Sequence, residues 1–256
     1  MDYQLYQTVL YLAGAINFMI ALVLIHNNIW YRYYELYHRS RILVALNFFI
    51  FGIGFLMHAC FGWRLTWSAA ASALTVSYFH SGAILFGWSH ISLLRPGYLT
   101  RRIVVRDLII LAAGLAAYWT SVVNISLFRL HVAFTIFFVH AAYIALTFYR
   151  TYFHVRQNIH QLPSGGYAPT WWTEETKRTV LSAHNSFIIG CNLIILFGLG
   201  SIAITAAFPH GLWPYSLLTM LGIAVFCYIF YSVEEYGNVI ESATYATERP
   251  VNGPSH

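Results

Sequence analysis

The chain has 256 residues, is 59% hydrophobic and 9% charged, and carries a formal charge of +5 with a mean hydropathy of +0.60. Soluble domains carry about 25% charged residues, so this composition excludes a soluble globular fold and points to an integral membrane protein. The positive charge is dispersed around loops, which argues against direct nucleic-acid binding and suits contact with anionic membrane lipid.

Apolar runs of about 20 residues, each enough to cross about 30 Å of hydrocarbon as a helix, recur along the chain. They predict seven helices, near 4–27, 42–62, 67–94, 106–124, 128–150, 181–207 and 213–233. No segment alternates apolar and polar residues as a barrel strand does. In lipid the backbone must satisfy its own hydrogen bonds, so the expected fold is all-α, a seven-helix bundle over residues 1–235. Residues 236–256 are expected to form a cytoplasmic tail, with Pro250, Gly253 and Pro254 marking a partly disordered end.

The first segment is preceded by Asp2 and by no Lys or Arg, and its first basic residue, Arg32, follows it. That order predicts a span, not a cleaved signal peptide. IWYRYYELYHR (29–39) then reads as an interfacial anchor rich in aromatic rings. The third segment holds VSYFHSGAILFGWSH (76–90), with His80 and His90 far from any charge; Ser77 and Ser81 flank His80 and are placed to set its tautomer. The longest loop, about 151–180, is punctuated by Pro163, Gly165, Gly166 and Pro169. Thr173, followed by Glu174 and Glu175, reads as a helix cap with acidic residues in the first turn, so the sixth helix is expected to begin below the membrane. Trp171 and Trp172 are expected in the interface, and FPHGLWP (208–214) is a tight outer turn. Cys60, Cys191 and Cys227 form no CxxC and read as small buried hydrophobes.

Twelve of the 14 Lys and Arg fall on one side of this topology: Arg32, Arg39, Arg41, Arg95, Arg101, Arg102, Arg106, Arg150, Arg156, Lys177, Arg178 and Arg249. Arg64 and Arg129 are on the other. The positive-inside rule then predicts an N-terminus outside and a C-terminus in the cytoplasm.

Polar residues at membrane depth are functional hypotheses. At about 1.5 Å per residue, Asn17, His80, His140 and Asn192 share one mid-membrane layer on four helices, with His58 and His131 nearer the outer face. These six are the candidate ligand-binding residues. His80 and His140 are also a candidate haem b ligand pair. No larger metal array is expected: there is no HxxxH or HExxH, and the acidic residues, Asp107 among them, sit at segment ends.

Catalytic readings lack their residues. The seventh segment has no lysine for a retinal Schiff base, and it lacks the paired histidines that zinc-dependent seven-helix hydrolases need after a start such as SYFH. EETKR (174–178) departs from the EExxxR pattern of CAAX-type proteases, because Thr179 stands where the pattern requires its arginine. No enzymatic activity is expected.

LLRPGYLTRR (93–102) and YHRSRILVALNFFIFGIGFLMHACFGWR (37–64) together resemble the seven-helix membrane region of Bacteroidetes membrane-bound regulators, over residues 1–240. In those proteins an N-out bundle precedes a cytoplasmic output, an AraC-type helix-turn-helix module or another signalling domain. The resemblance implies a sensory protein of the bacterial inner membrane. Here the segment after the seventh span, EEYGNVIESATYATERPVNGPSH (234–256), is too short for a DNA-binding domain. The expectation is a chain cut before its output domain, or a stand-alone relative signalling through a cytoplasmic partner. Glu234, Glu235 and Glu241 would continue the seventh helix as a stalk, and a homodimer is a further expected association.

The function expected from the sequence is a receptor-like membrane protein. It would bind a small ligand or lipid within the bundle and signal to cytoplasmic partners, without a cofactor. The alternatives are a b-type haem redox protein using His80 and His140, and a transporter or channel.

Overall fold

A computed structural model describes residues 3–123, 127–163, 169–208 and 211–248. It is all-helical there, with no strand among the described residues. The helices are α1 (Tyr3–Asn27), α2 (Glu35–Phe61), the short α3 (Trp63–Thr66), α4 (Ser68–Leu94), α5 (Arg101–Val123), α6 (Leu127–Gln161), α7 (Glu174–Ala207), α8 (Leu212–Asn238) and α9 (Ile240–Glu248). Seven of them, all but α3 and α9, are long and apolar enough to cross a membrane. The protein is a multi-pass membrane protein, and the seven expected spans correspond one to one to these helices.

Several helices run beyond their apolar runs. α2 begins at Glu35, α5 at Arg101, and α6 continues to Gln161. α7 begins where the capping pattern predicts: the Thr173 hydroxyl oxygen accepts from the Thr176 amide at 3.1 Å. Polar helix ends carry no hydropathy signal, so an apolar run marks only the part of a helix that lipid surrounds.

α4 is the axis of the bundle. Residues on all its faces are buried, and it packs against α2, α5, α6 and α7. Small residues permit that close approach. A methyl on Gly82 would meet the Phe51 ring at 2.5 Å, and one on Gly87 would meet Ile144 Cγ2 at 2.6 Å. α5 is peripheral by contrast. Its buried residues, Asp107, Gly114, Tyr118 and Val122, recur at seven, four and four residues and form one inward stripe.

The ring closes where α8 returns to α1 and α2. Arg41, fully buried, pairs with Glu234 at 2.7 Å and donates to the Tyr37 hydroxyl at 3.1 Å. The Tyr37 hydroxyl in turn donates to the Val233 carbonyl at 2.6 Å. At the same end Lys177 Nζ donates to the carbonyls of His160 and Leu162, completing the C-terminus of α6.

Two expectations change here. Glu234 and Glu235 do continue the seventh span, which runs to Asn238, but packed into the bundle and not as a projecting stalk: Glu234 holds Arg41 and Glu235 accepts from Ser186, while Glu241 belongs to the separate α9. After Asn238 the chain turns and α9 packs back on α6 and α7. Trp172, 1% exposed, is covered by Tyr245 of α9 with ring centroids 5.1 Å apart, whereas Trp171 stays exposed. The expected disordered end falls at 249–256, outside the described residues.

Gly87→Val should push α6 away from α4 and cost about 1–3 kcal/mol. Thermal unfolding of the purified protein in detergent would measure the loss, and Ile144→Ala in the same chain should recover part of it.

Candidate functional site

The inward stripe of α5 places a carboxylate where the sequence shows two imidazoles. Asp107 is 1% exposed although α5 otherwise faces outward. A buried carboxylate must be met by donors, and N–H groups from three helices meet it. Trp88 Nε1 of α4 donates to Oδ2 at 2.7 Å. Arg106 Nε and Nη2 lie 2.8 and 2.7 Å from Oδ1. His140 Nε2 of α6 lies 3.2 Å from Oδ1.

From this anion outward the tautomers follow in order. An ionised carboxylate only accepts, so His140 Nε2 carries the hydrogen and its Nδ1 is a bare acceptor. His80 Nε2 is 2.9 Å from that Nδ1, so it donates. His80 Nδ1 is then the acceptor for the Tyr118 hydroxyl, also at 2.9 Å. The result is a directed chain, Tyr118 to His80 to His140 to Asp107, with every proton assigned. It spans the eleven helical steps from residue 107 to residue 118, about 16 Å along the α5 axis at 1.5 Å per residue.

The Asp107 end reaches the surface of the bundle through Arg106, whose side chain is 35% exposed. Arg106 donates to the Tyr143 hydroxyl at 2.9 Å and stacks on the same ring. Tyr98, in the α4–α5 turn, is buried beside them. Burial foremost, and then the Asp107 charge, hold its phenol above the ordinary tyrosine value, so it stays neutral.

A second feature lies on the other side of the histidines. An apolar cavity of about 440 Å³ opens between α6 and α7, bounded by Phe51, Gly82, Phe86, Phe137, Gly198 and Phe226. This is within the range of small-molecule sites, about 300–1,000 Å³. Phe138, Leu146 and Leu199 on its rim are exposed, so its mouth faces the lateral surface of the bundle. Its wall includes one unmet polar atom, the buried Asn47 Oδ1. Phe137 belongs to both features: it lines the cavity and sits edge-on to His80 at 5.6 Å between centroids.

Of the residues singled out from the sequence, His80 and His140 come together, and they do so by direct contact. Asn17 is buried but donates to Ala13 of its own helix. Asn192 is exposed and accepts from Tyr149. His58 bonds Thr75 at 3.0 Å near the end of α2, away from the midplane pair. The side chain of His131 lies outside the described residues. Ser77 and Ser81 donate to carbonyls of α4 itself and do not set the His80 tautomer; Tyr118 and His140 do.

The histidine pair does not fit an iron in this arrangement. Two ligand nitrogens across a metal stand about 4 Å apart, at about 2 Å per bond, whereas these two share a hydrogen bond at 2.9 Å. Gly114 closes the remaining side, since a methyl there would lie 2.9 Å from His80 Nδ1. No group of three or more His, Cys, Asp or Glu that could hold a metal occurs among the described residues.

Asp107, Trp88, Tyr118 and Arg106 were not among the candidates. With the fourth helix starting near 106, Asp107 reads as a terminal residue. Starting at Arg101, it enters the second turn. The available signal was the spacing of Asp107, Gly114 and Tyr118, which is that of one helix face.

No family model matches the chain, and neither the curated proteins nor the solved structures yield a significant match.

His80→Phe combined with His140→Phe should show a coupling energy of about 1–3 kcal/mol in a double-mutant unfolding cycle. The pair His80→Phe and His90→Phe serves as the control. His90 is ten residues away along α4, stacked on Phe86, so its coupling should be near zero. Equal coupling in the two cycles would remove the relay as a unit.

Proposed function

We propose that the protein is a receptor-like membrane sensor that takes a lipid-like ligand from the bilayer into the cavity between α6 and α7. The observation that carries this reading is the cavity itself. It holds about 440 Å³ of almost wholly apolar space, with a mouth at the lateral surface. A water-soluble ligand would gain little from such a lining, whereas an acyl chain loses nothing on leaving lipid. The single buried acceptor, Asn47 Oδ1, suits a ligand with one hydrogen-bond donor.

Two contacts connect occupancy to the rest of the molecule. Phe137 transmits a change in the cavity wall to His80 and so to the relay. α6 and α7, which frame the mouth, also hold α9. A ligand that alters the spacing of α6 and α7 would alter how firmly α9 is docked, which is the differential contact that a two-state switch needs. On this reading the basic end of the bundle is cytoplasmic, the membrane is the bacterial inner membrane, and α9 faces a cytoplasmic partner or output domain, as in the Bacteroidetes regulators.

A second reading, proton-coupled transport, is favoured by one observation. A buried Tyr–His–His–Asp chain running along the membrane normal is the kind of path that carries protons in pumps and transporters. Proton uptake by proteoliposomes, lost in Asp107→Asn, would favour it over the sensor.

Gly198 lines the cavity with nothing within 4 Å of a methyl built on it, so Gly198→Leu should fill the space without a clash. Saturable binding of a fluorescent fatty acid to the purified protein should weaken about tenfold in Gly198→Leu, equivalent to about 1.4 kcal/mol. Ala141→Trp should act in the same direction. Unchanged binding in both variants would end the sensor reading.

A further inference from the structure

At the end of the bundle opposite the basic loops, one arginine is buried without an anion. Arg64 is 1% exposed. Its local structure is built to turn it inward. α2 ends at Gly62, whose φ of +59° is left-handed and where a methyl would meet the Tyr3 hydroxyl at 2.5 Å. The reversal at Gly62 starts α3, and Arg64 then points back between α1, α4 and α8.

All its partners are neutral. It donates to Ser72 at 3.1 Å and to Thr75 at 3.2 Å, and its guanidinium lies over the Tyr215 ring at 3.8 Å. Nε finds no partner, and neither does Nδ1 of the neighbouring His58. The other cations that reach into the bundle behave differently. Arg41 reaches Glu234, Arg106 reaches Asp107, and Lys177 reaches Glu174. Among the described residues no carboxylate pairs with Arg64. A cation–π contact offsets only part of the cost of burying a full charge.

The two unmet nitrogens belong to residues that bound one small cavity. It is walled by Tyr6, His58, Arg64, Thr75, Tyr215 and Thr219 among others and has a volume of about 20 Å³. That is room for one water-sized occupant, for which about 10–15 Å³ suffices. We infer that this cavity is a site for a single small monovalent anion, of the size of chloride, held by Arg64. A halide supplies the missing negative charge and accepts from Nε. The site joins α1, α2, α3, α4 and α8, so occupancy fastens this end of the bundle.

The purified full-length protein in detergent should unfold at a temperature that rises saturably as chloride replaces gluconate at constant ionic strength. The expected rise at saturation is about 2–4 °C. Bromide should reproduce it. Arg64→Gln should abolish it, and so should Thr219→Leu, which fills the cavity and keeps the arginine. Chlorine NMR line broadening by the wild-type protein, reversed by bromide, reads the same site without any variant. A wild-type protein indifferent to halide in both measurements overturns the inference. So does an equal halide effect in both variants. Asp2, the acidic residue closest in sequence to this end, lies outside the described residues. If Asp2→Asn creates a halide dependence that the wild type lacks, the counter-charge is internal and the inference fails.

Discussion

A carboxylate inside a membrane bundle has to be surrounded by donors, and the Asp107–His140 hydrogen bond is where this protein meets that requirement. Much else follows from it. The peripheral helix α5 gains a reason to hold a fixed rotation against α4 and α6, because its narrow inward stripe carries the buried groups that those helices pair. His140 is forced into one tautomer, His80 into the complementary one, and Tyr118 into the role of terminal donor. Gly114 has to stay without a side chain so that His80 can lie against α5. The network crosses three helices and leaves none of its four members unpartnered, which is what makes a buried polar chain rigid and specific rather than costly.

The same rule, applied at the two ends of the bundle, gives different solutions. At the basic end Arg41 is neutralised by Glu234, and that pair ties α2 to the last span. At the opposite end Arg64 is held by hydroxyls and a tyrosine ring, and no described carboxylate balances it. Between the ends lies the gap at α6 and α7, where packing is given up for an apolar cavity. The polar chain and the cavity share Phe137 as a wall, so the hydrogen-bonded chain and the loosely packed cavity are in direct contact. On the sensor reading proposed above, this contact is where a change in the cavity would reach the polar chain.

Most of the architecture was legible in the amino-acid order. Hydrocarbon thickness imposes a minimum apolar length on every span, so the seven segments could be located and the β-barrel set aside. Depth counting placed His80 and His140 in one layer, where they do touch. It failed for Asn17 and Asn192, because height along a helix says nothing about which way a side chain faces. Asn17 turned to its own helix, and Asn192 to the outside. Asp107 was misplaced because hydropathy falls at the charged start of α5 while the helix continues. Trp172 was assigned to the interface because a tail helix that folds back over it has no signature in the loop that it covers.

The sequence by itself determined the spans, their alternation and the clustering of positive charge at one end, since each depends on one segment and its solvent. The rotation of each helix, the pairing of Asp107 with the two histidines, the return of α9, and the two cavities were decided by tertiary structure. Each is a relation between helices distant in the chain, settled by which small residues let backbones approach and by which buried polar atoms find a partner there.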